Sequence, residues 1–417
     1  MEPPFRHPVV IGQTALAWVA ALFLSSSLFA HTVALRLALL MVGAALAAVT
    51  AWRNRGDVHW LPAIWLPCLL WAAWAWLSVA WSVEPERTLK ELRNETVYAG
   101  LALWVCFVGA QAANAARIIV PVVGAAAAAV MAIGLRDFSI GWERYAVGLH
   151  GGPGDHSSAL LTLAPCVAMT AWYGWRDGWR PGIQLPVWIL GPLILASAYC
   201  TLNRTVWIGL AVEILLIGLL IQLRQRGSTR RPWSVRARLA GGLLAVAVIG
   251  GAAVTLGEIQ AKRESAGGTS LARDHRLLLW PEISELIAAR PLTGYGFGRG
   301  LLRHPLRAEF GTIDGHLWHA HNTFLEQLIQ LGMPGLALFL LLLAAILREG
   351  WRMTRDASDF RAACGIALSA VVTGMLVRNM TDTLFVRGNS LLFWGVTGTL
   401  LGLTTLRRSR PAQGLAA

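Results

Sequence analysis

Apolar residues in this chain come in long unbroken blocks, parted by short polar connections rich in arginine. An apolar run of about 20 residues is long enough to cross a bilayer as a helix, which satisfies its backbone groups within the segment. Twelve such blocks follow one another, at roughly 9–29, 33–52, 61–82, 96–113, 116–135, 157–174, 184–202, 205–223, 239–257, 322–347, 361–385 and 389–406. The pattern predicts an all-α polytopic membrane protein with about 12 transmembrane helices. The first block, after Arg6, is longer than the apolar core of a secretory leader and lacks a small-x-small cleavage site, so it reads as a retained helix.

One polar interval stands apart. Residues 258–321 separate spans 9 and 10, and a segment that long without structure of its own is uncommon. Within it Leu277, Leu278, Leu279, Trp280, Ile283, Leu286 and Ile287 recur at helical spacing, which ends at Arg290-Pro291. The glycines from Gly294 to Gly300 then read as turn chemistry; with Arg299 in their midst and no strand before them they are not a dinucleotide fingerprint. This interval is expected to be a helical cap with its apolar face toward lipid or the bundle. The chain thus divides into spans 1–9 (1–257), the cap (258–321), and spans 10–12 with a short tail (322–417). Two shorter polar stretches, Val83–Asn94 and Arg136–His156, fall on the cap's side.

Composition agrees with the blocks: 55% of the residues are hydrophobic and 14% charged, against roughly 25% charged in soluble domains. The net charge of +13 is almost wholly arginine, with lysine only at Lys90 and Lys262. With twelve spans, the arginines of loops 53–55, 224–238 and 348–361 and of the tail share one face, so both termini are expected in the cytoplasm. Charge scattered over short loops fits anionic headgroups and excludes a nucleic-acid groove. The five cysteines lie in apolar blocks without paired spacing, which indicates neither disulfides nor a zinc site.

Candidate chemistry concentrates on the cap. It holds Arg263, Arg273, Arg276, Arg290, Arg299, Arg303 and Arg307, together with His275, His304, His316, His319 and His321. Arginine's planar fork suits a phosphate, although nearby carboxylates could equally balance a solvated surface. The pair His319 and His321, just before a span, admits three readings: a general base, a helix-capping or core histidine, or a metal ligand. No carboxylate falls at ligand spacing, which disfavours the metal. Arg204, in Asn203-Arg204-Thr205, sits at a span edge where an unpaired charge is costly. Arg378 and Asp382, four apart, either pair with each other or serve a pocket that Arg387 could join; Glu213 reads as a buried helix contact.

Five motifs together resemble the O-antigen ligase and polymerase family. They are Asn203-Arg204-Thr205-Val206-Trp207-Ile208, Arg276-x-x-x-Trp280, Pro291 to Gly298, His321-Asn322-Thr323-Phe324-Leu325-Glu326, and Leu331-Gly332-Met333-Pro334-Gly335. The resemblance implies a GT-C type membrane glycosyltransferase of the bacterial inner membrane, working at the periplasmic face. It implies transfer of O-antigen from undecaprenyl diphosphate to a hydroxyl of lipid A–core, with inversion and with no metal or cofactor. It implies essential roles for Arg204, Arg276 and His321. His319, Arg299, Arg303, Arg378 and Arg387 are the further candidates for holding substrate. Rival expectations are an O-antigen polymerase, a protein O-oligosaccharyltransferase, against which the short final stretch speaks, and a lipid-linked glycan transporter. A transporter would place its polar residues near mid-membrane and favour internal repeats, and neither pattern is evident.

Overall fold

A computed structural model of the chain describes residues 8–53, 58–140, 152–177, 181–226, 242, 246–257, 275–299, 319–383 and 385–405. Among these residues the fold is all-helical. In chain order the helices are α1 (Pro8–Ser26), α2 (Val33–Arg53), α3 (Pro62–Leu77), α4 (Pro85–Leu92), α5 (Tyr98–Gly109), α6 (Ala115–Ile140) and α7 (Pro153–Arg176). They continue as α8 (Pro181–Cys200), α9 (Arg204–Arg226), α10 (Val246–Gly257), α11 (His275–Ala289), α12 (Thr323–Thr354), α13 (Asp359–Asn379) and α14 (Arg387–Thr405). Each of the twelve apolar blocks contains a helix. Six helical stretches are long and apolar enough by themselves to cross a membrane, at Val33–Arg53, Pro62–Trp81, Ala115–Ser139, Arg204–Gln225, Thr323–Thr354 and Asp359–Asn379. The chain is a multi-pass membrane protein.

Local sequence explains many of the ends. Proline occupies the first turn of α3, α4 and α7, where its missing N–H costs nothing. Asn322 caps α12, accepting from the N–H groups of Phe324 and Leu325 at 2.8 and 3.2 Å. The mixed-charge stretch from Val83, expected as a connection, is largely helix: α4 runs through a π turn at Arg93–Val97 directly into α5.

α13 lies at the centre, with 78% of its apolar window buried, and packs on α7, α9, α12 and α14. α14 lies closely along α5, because a Cβ at Gly398 or Gly402 would come within 2.3 Å of the Leu103 carbonyl oxygen or 2.2 Å of that of Phe107. Only glycine permits that approach, the usual means of helix association in a bilayer. The helices that face outward remain apolar: Leu35, Met41 and Trp52 on α2 and Leu66 and Leu69 on α3 are more than half exposed.

The bundle's two ends differ. At one, Arg224 of α9 donates to the carbonyls of Thr354 (2.8 Å) and Asp356 and pairs with Asp359 at 2.8 Å, and Arg176 of α7 reaches Asp359 at 3.4 Å. A cation there meets the negative end of α12. The contacts also show that α9 and α13 run antiparallel, so the start of α9 and the end of α13 share the opposite end. The candidate site lies there.

Candidate active site

The site is built around a broken helix. α12 departs from helical geometry at Gly332 (φ 67°, ψ −171°), and Pro334 has no N–H to give. The break frees the carbonyls of Ile329, Gln330 and Leu331. They accept instead from Tyr295 N–H (2.9 Å), Gly296 N–H (3.0 Å) and the Trp74 indole (3.0 Å), while Met333 N–H donates to Pro291 at 2.7 Å. The segment 291–298 is thereby strapped across α12. Its other edge is fixed by Val83 N–H on the Tyr295 carbonyl, Phe297 N–H on Ser78 Oγ, and Trp81 on the Thr293 carbonyl. The strap presents Arg299.

A second short segment, residues 319–322, leads into α12. His321 adopts the left-handed region (φ 48°), which turns the chain sharply before the Asn322 cap. The buried residue Ala320 accepts from the Trp280 indole at 3.0 Å, and Leu279 and Ile283 of α11 pack with Tyr295, Ala320 and Ile329. The apolar face of α11 is therefore turned to the bundle. Thr323 Oγ1 and Asn379 Oδ1 lie 2.7 Å apart, and Asn322 donates to the Met380 carbonyl at 3.1 Å, which docks this segment on the end of α13.

The turn brings three groups together. His319 is buried, and its ring centroid lies 3.7 Å from that of His321. His321 Nδ1 lies 3.5 Å from Asp382, whose other oxygen is 3.5 Å from the buried guanidinium of Arg378. Burial pushes the Asp382 carboxyl up, but the contact with His321, the charge of Arg378 and the N–H of Thr383 outweigh it and hold it below the usual range. With Asp382 ionised and facing Nδ1, the proton of a neutral His321 sits on Nδ1 and the lone pair on Nε2. Arg299 Nη2 is 2.7 Å from His319 Nε2. Burial lowers the Arg299 pKa, and Glu326, Asp382 and Asp155 oppose that.

At the start of α14, the buried Glu95 carboxylate accepts the Arg387 backbone N–H with both oxygens, at 2.8 and 3.0 Å. Burial raises the Glu95 pKa to about 7, against that hydrogen bond. The Arg387 side chain is exposed, and its charge acts on both Glu95 and Arg299, which places it beside the same pocket. Asn389 donates to Asp155 of α7 at 2.7 Å.

Arg204 starts α9, where Asn203 Oδ1 accepts from Thr205 N–H at 3.1 Å; among the described residues none pairs with the Arg204 side chain. A Cβ on Gly374 would touch the buried Glu213 carboxyl, so those two positions are level. From that level Arg204 is nine residues outward on α9 and Arg378 four on α13, or about 13 and 6 Å at 1.5 Å per residue. Arg204 thus belongs to the site's end of the bundle. Arg276 is the second residue of α11, one turn before Trp280; its side chain, and the whole of Arg303, lie outside the described residues.

His319, His321 and Asp382 each place one ligand atom within 4.8 Å of the others. The carboxylate that sequence spacing did not supply comes from a residue 61 positions further on. Yet Arg299 contacts His319, and Arg378 contacts Asp382. Two fixed cations make this a poor cradle for a divalent ion and a good one for an anion. The residue that sequence reasoning missed is Asp382 as the partner of His321. Its spacing to Arg378 suggested a simple intrahelical pair, and only the return of α13 to the start of α12 joins it to the histidine.

Residues 189–340 match the O-antigen ligase family model. The match includes Arg204, Arg276, the strap and the histidine turn, and stops short of Arg378 and Asp382. A protein of Rickettsia felis described as a candidate polysaccharide ligase is 30% identical over 112 residues, 25% of this chain and 27% of that protein. A Rickettsia prowazekii protein of the same description is 32% identical over 125 residues, 26% of this chain and 28% of its own length. The exopolysaccharide production protein ExoQ of Rhizobium meliloti is 28% identical over 235 residues, 52% of this chain and 50% of its own length. The chain thus spans half or less of the length of these relatives.

Proposed function

We propose that this protein is an O-antigen ligase, which transfers a glycan from undecaprenyl diphosphate to a sugar hydroxyl of lipid A–core at the periplasmic face of a bacterial inner membrane. The observation that carries the reading is the line Arg378–Asp382–His321 beside Arg299, set where a membrane helix begins. The acceptor hydroxyl gives its proton to His321 Nε2 as its oxygen attacks the anomeric carbon. The C1–O bond to the diphosphate breaks on the opposite side, so configuration inverts. Asp382 stabilises the imidazolium that forms, and Arg378 keeps Asp382 ionised. Charge gathering on the leaving diphosphate meets guanidinium groups from Arg204, Arg276, Arg299 and Arg387, with Arg303 as a further candidate. Fixed cations of this kind take the place of a divalent ion, and no cofactor enters the step. Twelve crossings put the termini in the cytoplasm and this end of the bundle outside.

The test is a transfer assay with purified protein, lipid-linked O-antigen and lipid A–core in the presence of EDTA. Transfer is expected for the wild type, and His321→Ala is expected to lose about 10²- to 10⁴-fold in kcat while remaining folded. Activity lost on chelation and restored by Mg²⁺ overturns the metal-independent step, and a wild-type rate for His321→Ala overturns the base.

A second reading, polymerisation, has one observation in its favour: the match to the exopolysaccharide protein covers twice as much of this chain as the others. The donor chemistry is the same and the acceptor is another lipid-linked glycan. A strain lacking the protein separates the two. Long chains held on undecaprenyl diphosphate with bare lipid A–core support ligation, and single repeat units support polymerisation.

A further inference from the structure

The two segments that carry the charged groups, the strap with Arg299 and the turn with His319 and His321, are not bonded to each other through their backbones in any contact described above. Beside the direct Arg299–His319 contact, two side chains on the first turns of α12 link their backbones. Gly298 N–H donates to Gln330 Oε1 at 3.1 Å, Gln330 Nε2 donates to Glu326 Oε1 at 2.9 Å, and Ala320 N–H donates to Glu326 Oε2 at 2.8 Å. Gly298 precedes Arg299, and Ala320 lies between the two histidines. Glu326 is 2% exposed and Gln330 4%, so no water competes for these bonds.

The polarity of this chain is fixed. A backbone N–H can only donate, so the oxygen of Gln330 faces Gly298 and its NH₂ faces Glu326. Glu326 must then accept on both oxygens, which a carboxylate does and an amide cannot. We infer that Glu326 and Gln330 are positioning residues that set the distance from Arg299 to the His319–His321 pair. The inference rests on the proposed transfer reaction and deepens it: neither residue touches substrate, and both act through the backbones that present the groups which do.

The fixed polarity of the three bonds supplies the test. In Glu326→Gln one of the three bonds fails whichever way the amides turn. In the exchanged pair E326Q/Q330E all three return: Gln at 326 accepts from Ala320 N–H and donates to Glu at 330, which accepts from Gly298 N–H. The buried carboxyl group is retained, moved by one helical turn. Transfer kinetics with lipid-linked glycan and lipid A–core are measured for the wild type, the single and the double variant, each shown to be inserted and folded.

A loosening of about 1 Å between reacting groups lowers rates by about 10²-fold. Glu326→Gln is therefore expected to lose about 10²-fold in kcat with little change in the donor KM, and the exchange to return within about threefold of wild type. A folded Glu326→Gln at the wild-type rate, or a folded exchange no better than the single variant, overturns the relay. Should the single variant fail to insert, the exchange carries the test alone, and a folded, inactive exchange overturns the inference. Absence of transfer by the wild type is a different result and removes the ligase reading itself.

Discussion

Gly332→Ala tests whether the broken helix sets the site. Gly332 sits at φ 67° and ψ −171°, a region open essentially to glycine alone, and an alanine there is strained by about 1–3 kcal/mol. Its Cβ would also lie 2.5 Å from the carbonyl carbon and oxygen of Leu292. Backbone atoms cannot swing aside as a side chain does, so the strap must retreat by about 1 Å to reach ordinary contact. That retreat stretches the 2.7 Å bond from Met333 to Pro291 and strains those of Tyr295 and Gly296, each worth about 1 kcal/mol. The total, about 3–5 kcal/mol, is a large part of a typical fold's net stability of about 5–15 kcal/mol. Because the strap presents Arg299, a shift of about 1 Å is also expected to lower kcat by about 10²-fold.

The assay pairs thermal unfolding in detergent with transfer kinetics. Gly218→Ala is the control, since nothing lies within 4 Å of a Cβ there and α9 is regular at that point. Gly332→Ala is expected to unfold several degrees earlier than both wild type and control and to transfer slowly. An unfolding midpoint within about 1 °C of wild type together with an unchanged kcat would refute the coupling between helix break and strap.

Three further outcomes are expected. Asp382→Asn removes the carboxylate facing His321 and is expected to lower kcat by about 10²- to 10⁴-fold with little effect on the donor KM; a rate within about twofold of wild type sinks the dyad. Glu95, with a folded pKa of about 7 against about 4.5 unfolded, holds its proton more tightly when folded. Its contribution is therefore full below the unfolded value and falls by about 3 kcal/mol as pH rises from about 4.5 to 7. Glu95→Gln is expected to flatten the unfolding midpoint over that window, and an unchanged pH profile contradicts the burial argument. Arg224→Met, at the opposite end, strips the Thr354 and Asp356 carbonyls and Asp359 of a buried partner and is expected to destabilise by about 3 kcal/mol while leaving kcat intact; a kcat that falls in the folded variant shows that the two ends are coupled.

Much of the site is legible in the sequence. Asn322 reads as a cap because Asn before an apolar run is the strongest such signal, and it caps α12. The glycines after Pro291 read as a turn because nothing else in that stretch tolerates positive φ, and Gly294, Gly296 and Gly298 all have it. The stretch after Val83 was harder. α4 is short and charged, and what keeps it helical is its continuity through the π turn into α5, together with the burial of Glu95 against α14.

By itself the sequence determined the number and order of apolar blocks, the concentration of arginine and histidine near the start of α12, and the glycines and prolines that forbid a regular helix at 331–335. These follow from hydropathy and backbone sterics, which act between near neighbours in the chain. The tertiary structure alone decided what the break is for and who partners whom. Of three carbonyls freed in α12, two are claimed by a strap 34 residues earlier and one by Trp74, 257 residues away. Asp382 finds His321 only because α13 returns antiparallel to α12. Hydrogen-bond satisfaction inside a membrane bundle is settled by whichever donors packing brings near, and no local pattern of residues encodes that choice.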